Sequence, residues 1–154
     1  MVDAVSLDPW GSQFFEVVSD NIDVFRGLPP TLHEALLREY VQTASHRGMR
    51  ASVLDALVDP WCGEEGQAAF YRQLRHRSAD EGYIRHLKTH YGDLRQPVRL
   101  VWGTQDTWIP AERGRELAVT IPEARLTLIE EAGHLVQEDA PGELTAALIS
   151  AING

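Results

Sequence analysis

Only one cysteine, Cys62, occurs among the 154 residues. A lone thiol excludes an internal disulfide framework and a cysteine-rich zinc site, and it fits a reducing compartment. Long apolar runs are missing too: no stretch approaches the ~18 consecutive apolar residues that a membrane-spanning helix needs. Basic charge is scarce. Lys and Arg number 14 against 23 Asp and Glu, for a net charge of −9. The deficit holds along the chain, with 9 basic against 13 acidic side chains in residues 1–92 and 5 against 10 in residues 93–154. No basic face is left to neutralise phosphates, so nucleic acid and anionic membrane surfaces are disfavoured as partners. Met1 to Ser12 contains Asp3 and Asp8 and lacks a basic n-region, so no signal peptide is expected there and the expected location is cytoplasmic.

What is present describes an ordinary globular chain, with 44% apolar and 24% charged residues and a length that fits one domain of roughly 100–200 residues. The pattern changes character near Gln96-Pro97. Val2, Ala4 and Val5 open the chain as the end of a strand, punctuated by Asp8-Pro9-Trp10-Gly11. From Ser12, Phe14, Phe15, Val18, Ile22 and Phe25 follow helical spacing as far as Gly27. Pro29-Pro30 starts a second helix through Leu32, Leu36, Leu37, Tyr40 and Val41. Val53, Leu54, Leu57 and Val58 form a shorter one stopped at Asp59-Pro60. A longer helical region with Ala69, Phe70, Leu74, Ile84 and Leu87 runs from about Glu64 to His90. Beyond it, Val98–Trp102 is a buried-strand pattern closed by Gly103. Pro110 opens a helix through about Ile121, Leu126, Leu128 and Ile129 mark a second strand, and Pro141 opens a last helix. Strand–helix–strand–helix with connections of this length implies parallel pairing. The expected fold class is α/β, in three stretches: 1–11 as a strand end, 12–92 as a helical subdomain, and 93–154 as the α/β part.

Ligands of open α/β sheets bind beyond the carboxyl ends of the strands. Two loops leave those ends, Gly103-Thr-Gln-Asp106-Thr-Trp-Ile-Pro110 and Glu131-Ala-Gly133-His134-Leu-Val-Gln-Glu138-Asp-Ala-Pro141. If the strands are parallel neighbours, Asp106 and His134 face one another. An aspartate accepting from one imidazole nitrogen fixes the tautomer, leaves the other nitrogen free as a base, and stabilises the imidazolium. Trp108, close after the Asp, and Leu135 and Val136, just after the His, are the candidate substrate contacts.

These residues carry a resemblance. Trp102-Gly103-Thr-Gln-Asp106-Thr-Trp-Ile109-Pro110, followed by Ala132-Gly133-His134 and Glu138-Asp-Ala-Pro141, resembles the C-terminal signature of the α/β-hydrolase fold. The resemblance implies that Asp106 is the acid and His134 the base of a catalytic triad. It also implies that residues 12–92 form a helical cap inserted before them, and that no cofactor is used. The implied activity is hydrolysis of a carboxylic ester or similar small apolar compound; a haloalkane or epoxide is the alternative, separated by whether the nucleophile is Ser or Asp. The Gly-x-Ser-x-Gly elbow that carries the nucleophile in that family is not in this sequence, nor is the earlier oxyanion loop. By this resemblance the chain matches the second half of a hydrolase. The isolated chain is then expected to be inactive, needing a complementing N-terminal half or self-associating through an open sheet edge.

Other readings are weaker. Asp3, at the end of the first strand, is the alternative acid. Ser6 lacks the flanking glycines of a nucleophile elbow, and Cys62 is expected to be a small buried apolar residue. His86 and His90 have a zinc-compatible spacing but no adjacent Glu, and no metal site is expected. Asp80-Glu81 and Glu64-Glu65 read as solvated charges or helix starts, and most of the aromatics, Trp10 included, as core.

Overall fold

The computed structural model describes residues 1–7, 12–75 and 81–153. The turn expected at Asp8-Pro9-Trp10-Gly11, and Asp80, lie outside the described residues. Among the described residues, six α-helices come first: α1 (Gln13–Asp20), α2 (Ile22–Arg26), α3 (Pro30–Gln42), α4 (Ala51–Val58), α5 (Gly63–Arg75) and α6 (Glu81–His90). The sheet follows, as β1 (Arg99–Gly103), α7 (Ala111–Thr120) and β2 (Arg125–Ile129), then the short α8 (Val136–Asp139) and α9 (Pro141–Asn153).

β1 and β2 pair in parallel, from Arg99 opposite Arg125 to Gly103 opposite Ile129. β1 reads as a continuous apolar run because both of its faces are covered. Leu100 and Trp102 pack with Leu7, Ile109, Ala111, Leu117 and Ile121 on the α7 side. Val101, one residue out of phase, packs with Ile129, Ala132, Val136 and Ala140 on the other side. The indole N–H of Trp102 donates to the Ile109 carbonyl at 2.8 Å, which ties the outgoing loop back over the strand.

The expected first strand is shorter than its sequence pattern. Its pairing is a single parallel bridge, Val2 to Val101, with Val101 N–H donating to the Met1 carbonyl and Asp3 N–H to the Val101 carbonyl. Asp3 has φ +37°, a left-handed conformation that turns the chain out of the ladder. β1 is therefore flanked on both sides.

The helices carry their own core, with Val18, Tyr71 and Leu74 buried against Phe14, Phe15, Ile22, Phe25 and Phe70. His33, 1% exposed, spans it. The Trp61 carbonyl can only accept, so His33 Nε2 donates to it at 2.9 Å, and Nδ1 accepts from the Tyr71 hydroxyl at 3.0 Å. The helix expected to run from Ser12 to Gly27 breaks at Asn21, whose side-chain amide donates to the Val17 carbonyl and whose N–H donates to that of Val18. Such local side-chain bonds compete with helix continuation. Among the described residues no helix is long and apolar enough to cross a membrane.

Candidate active site

Both loops expected to carry chemistry leave the carboxyl ends of neighbouring parallel strands and are laced together. Thr104 N–H donates to the Ile129 carbonyl at 3.0 Å and Gln105 N–H to the Ala132 carbonyl at 2.9 Å. Gly103 makes this approach possible: a Cβ there would lie 2.3 Å from the Ala132 carbonyl oxygen.

The Asp106 side chain has no exposed surface, and both of its oxygens are used. Oδ1 accepts from the backbone N–H groups of Trp108 and Ile109, each at 2.8 Å. Oδ2 accepts from His134 Nδ1 at 2.9 Å. A carboxylate only accepts, so Nδ1 carries a proton, and in the neutral ring the lone pair is then on Nε2. Among the described residues Nε2 makes no hydrogen bond, and the His134 side chain keeps 19% of its surface exposed. The sequence expectation that these two residues meet is thus realised in the geometry, 28 positions apart in the chain.

Trp108 lies beside His134, with ring centroids 5.0 Å apart. Its other neighbours come from the helices. Tyr40 stacks on it at 4.1 Å and 8°, Phe14 stacks on Tyr40 at 4.0 Å, and the Trp108 indole N–H donates to the Thr43 hydroxyl at 2.9 Å. Trp108 and Leu135 also line an apolar cavity of about 250 Å³ whose other walls include Phe15, Leu37, Tyr40, Trp61, Phe70 and Leu74. Val136 does not join them, which corrects the expectation that it contacts substrate. It is 0% exposed and, as the first residue of α8, packs onto Val101, Ile129, Ala132 and Ala140 beneath the loop.

The alternatives are placed elsewhere. Asp3 is buried, and its Oδ1 accepts from Gly103 N–H at 3.0 Å; Asp106, not Asp3, bonds His134. Among the described residues Asp3 Oδ2 has no hydrogen-bond partner. Burial pushes its carboxyl up to about 7, against the Gly103 hydrogen bond; the Asp106 charge raises it further and His134 opposes. Ser6 offers its carbonyl to the Tyr91 hydroxyl. Cys62 is half-buried and donates weakly to the Val58 carbonyl; burial, then the charges of Glu34 and Asp59, raise its thiol pKa, the opposite of an activated thiolate. His90 Nδ1 bonds the His86 carbonyl, and no cluster of potential metal ligands occurs among the described residues.

Sequence reasoning missed the part played by Asp139, which was legible only as one residue of the His134 loop. It is 4% exposed, and its carboxylate joins that loop to the segment that follows α3.

The comparisons agree with this architecture. A model of the alpha/beta hydrolase family matches residues 1–148. The chain belongs to the alpha/beta hydrolase family. An alpha/beta hydrolase fold protein from Burkholderia ambifaria is 39% identical, with a TM-score of 0.87 over 97% of this chain and 54% of its own. A 2-hydroxy-6-oxo-6-phenylhexa-2,4-dienoate hydrolase from Rhodococcus superposes with a TM-score of 0.73 at 13% identity, over 99% of this chain and 54% of its own, and so shares the fold. By sequence, the chain is 27% identical to a dihydrolipoyllysine-residue acetyltransferase component of an acetoin cleaving system from Pseudomonas putida, over 96% of this chain and 42% of that protein. The chain thus spans about half the length of the Burkholderia protein and less than half of the Pseudomonas one.

Proposed function

We propose that this chain supplies the base and the acid of a nucleophile–His–Asp hydrolytic triad acting on a carboxylic ester or a similarly small apolar substrate. The observation that carries this reading is the 2.9 Å bond from His134 Nδ1 to the buried Asp106 carboxylate. Asp106 holds the imidazole as its Nδ1–H tautomer and stabilises the imidazolium. His134 Nε2 takes the proton of the nucleophile and then that of the hydrolytic water. The nucleophile and the oxyanion donors lie outside these 154 residues, in a portion equivalent to the part of the relatives that the chain does not span. Helices α1–α6 act as the cap. The apolar cavity they share with Trp108 and Leu135 receives the hydrophobic part of the substrate, since its walls offer aromatic and aliphatic surface. The same acid and base would serve a haloalkane or an epoxide if the nucleophile is an Asp.

Two assays test this reading. The 154-residue chain alone, given an activated aryl ester, should show the same background rate as His134→Ala; turnover lost with that substitution would place a nucleophile inside the chain and overturn this part. In a chimaera where the chain replaces the matching portion of the Burkholderia ambifaria protein, ester turnover should depend on both His134 and Asp106. Turnover indifferent to His134→Ala would refute the base assignment.

A further inference from the structure

Asp139 concentrates more hydrogen bonds than any reading of the two loops requires. Its Oδ1 accepts from the Ser45 hydroxyl and from Arg47 N–H at 3.1 Å. Its Oδ2 accepts from His46 N–H at 2.8 Å and from Gly133 N–H at 2.7 Å. One buried carboxylate therefore gathers three donors from the segment after α3 and one from the residue directly before His134. The residue directly after His134 is held to the same segment, with Leu135 N–H donating to the Ala44 carbonyl at 3.0 Å. His134 is thus bracketed, on one side by a direct bond from Leu135 to Ala44 and on the other by Gly133, which reaches Ser45, His46 and Arg47 through the Asp139 carboxylate. The fit leaves no slack: a Cβ on Gly133 would lie 2.7 Å from the Ala44 oxygen and 2.9 Å from the His46 nitrogen. Burial alone would raise the Asp139 carboxyl, but the bonds from Ser45, Gly133, His46 and Arg47 outweigh it and hold the pKa below its ordinary value.

We propose that Asp139 is a positioning residue: through Gly133 it fixes the backbone of the His134 loop against residues 44–47, and so sets the imidazole in line with Asp106. This rests on the reading of His134 as the base. It makes the helical section part of the framework of the catalytic pair as well as a wall of the cavity. The carboxylate suits the role because all four partners are donors; an amide in its place would turn an N–H₂ group toward some of them.

The test is NMR on the ¹⁵N-labelled 154-residue chain, reading the His134 Nδ1–H resonance and the exchange of the Gly133 and Leu135 amide hydrogens. Asp139→Asn should lose the resonance and speed both exchanges by about tenfold or more, as local opening does. Ser45→Ala, which removes one donor of the four, should move the same readouts in the same direction by less. Ile121→Ala serves as the control. It empties a buried site at the opposite end of the sheet, beside Val98 and Arg99, and at a comparable fall in Tm should leave the resonance and both exchanges unchanged. If Asp139→Asn does not fold, Ser45→Ala set against Ile121→Ala decides. Unchanged readouts in a folded Asp139→Asn, or in Ser45→Ala, would overturn the proposal, as would an equal response to Ile121→Ala. A wild-type chain without the Nδ1–H resonance would instead sink the reading of the Asp106–His134 pair itself.

Discussion

Asp106 and Asp3 are buried carboxylates near the same loops, and their hydrogen bonds separate them. Asp106 satisfies three donors. In Asp106→Asn the single amide oxygen remains with the Trp108 and Ile109 N–H groups, and the N–H₂ faces His134. Nδ1 must then accept, so the proton moves to Nε2 and the base loses its lone pair. Turnover of the chimaera should fall by roughly three to four orders of magnitude, and ¹⁵N shifts should report the Nε2–H tautomer; retention of the Nδ1–H form would contradict the argument. Asp3 satisfies one donor, and its Oδ2 is unpaired among the described residues. Its carboxyl, raised from 3.8 to about 7, keeps its proton in the folded chain over a range where the unfolded chain has already released it. The folded state then binds more protons, so stability falls as pH rises from about 4 to about 7 and levels off above. Asp3→Asn keeps an acceptor for Gly103, and Asn tolerates the positive φ. Urea melts should show the variant more stable than wild type at pH 7–8 by about 2 kcal/mol or more, with the gap closing near pH 4. A gap independent of pH would remove the Asp3 titration from the account.

Each element is decided partly by its own pattern and partly by what it meets. Gly103, the last residue of β1, lies under the Ala132 and Gly133 carbonyls, at 2.3 and 2.4 Å from where a Cβ would be. Both are backbone atoms in the His134 loop, so Gly103→Ala should push the loops apart at a cost of about 3 kcal/mol or more. Gly142, in the first turn of α9, meets nothing within 4 Å, and Gly142→Ala should stabilise by about 0.5 kcal/mol. Thermal melts of the two variants should shift in opposite directions. The same distinction explains how much was legible in the sequence. α3, α4, α7, β1, β2 and α9 each carry a full apolar period or a compact apolar run bounded by Pro or Gly, and each lies within a few residues of its expected place. The break at Asn21 and the four-residue α8 were not legible, because a side-chain bond or a single turn leaves no period. Asp106 and His134 could be paired from sequence because strand ends in a parallel sheet fall on one side. Asp139 could not be read, because its Ser45, His46 and Arg47 partners lie more than 90 positions away and meet it only in the folded chain. Val136 follows the base in sequence, but α8 turns it toward the sheet.

At the largest scale, the governing feature among the described residues is a sheet of two strands plus one bridge, too narrow to be stable without the helices on its faces. The first segment spends its inward groups on β1: the Met1 carbonyl and the Asp3 N–H both bond Val101. Backbone groups alternate along an extended segment, so the N–H and C=O of Val2 point away from β1. Met1, Val2 and Val5 beside them are 49%, 36% and 36% exposed. Among the described residues nothing pairs with that side of the segment, and an apolar edge left unpaired templates pairing with another strand. A net charge of −9 works against it by mutual repulsion between copies, and salt screens that repulsion. The chain should therefore associate in a concentration-dependent way, more strongly at about 0.5 M than at about 0.05 M salt, as read by light scattering. A second exposed apolar stripe, Leu148, Ile149 and Ile152 on α9, offers a competing contact, and substitutions separate the two. Val2→Lys puts a charge on the strand edge and should shift the population toward monomer; Ile149→Lys with Ile152→Lys should leave association largely intact, since a helix face supplies no unpaired backbone donors. Association abolished by the α9 pair but not by Val2→Lys would move the contact to the helix, and a monodisperse monomer at every salt concentration would mean that the edge is protected in the 154-residue chain.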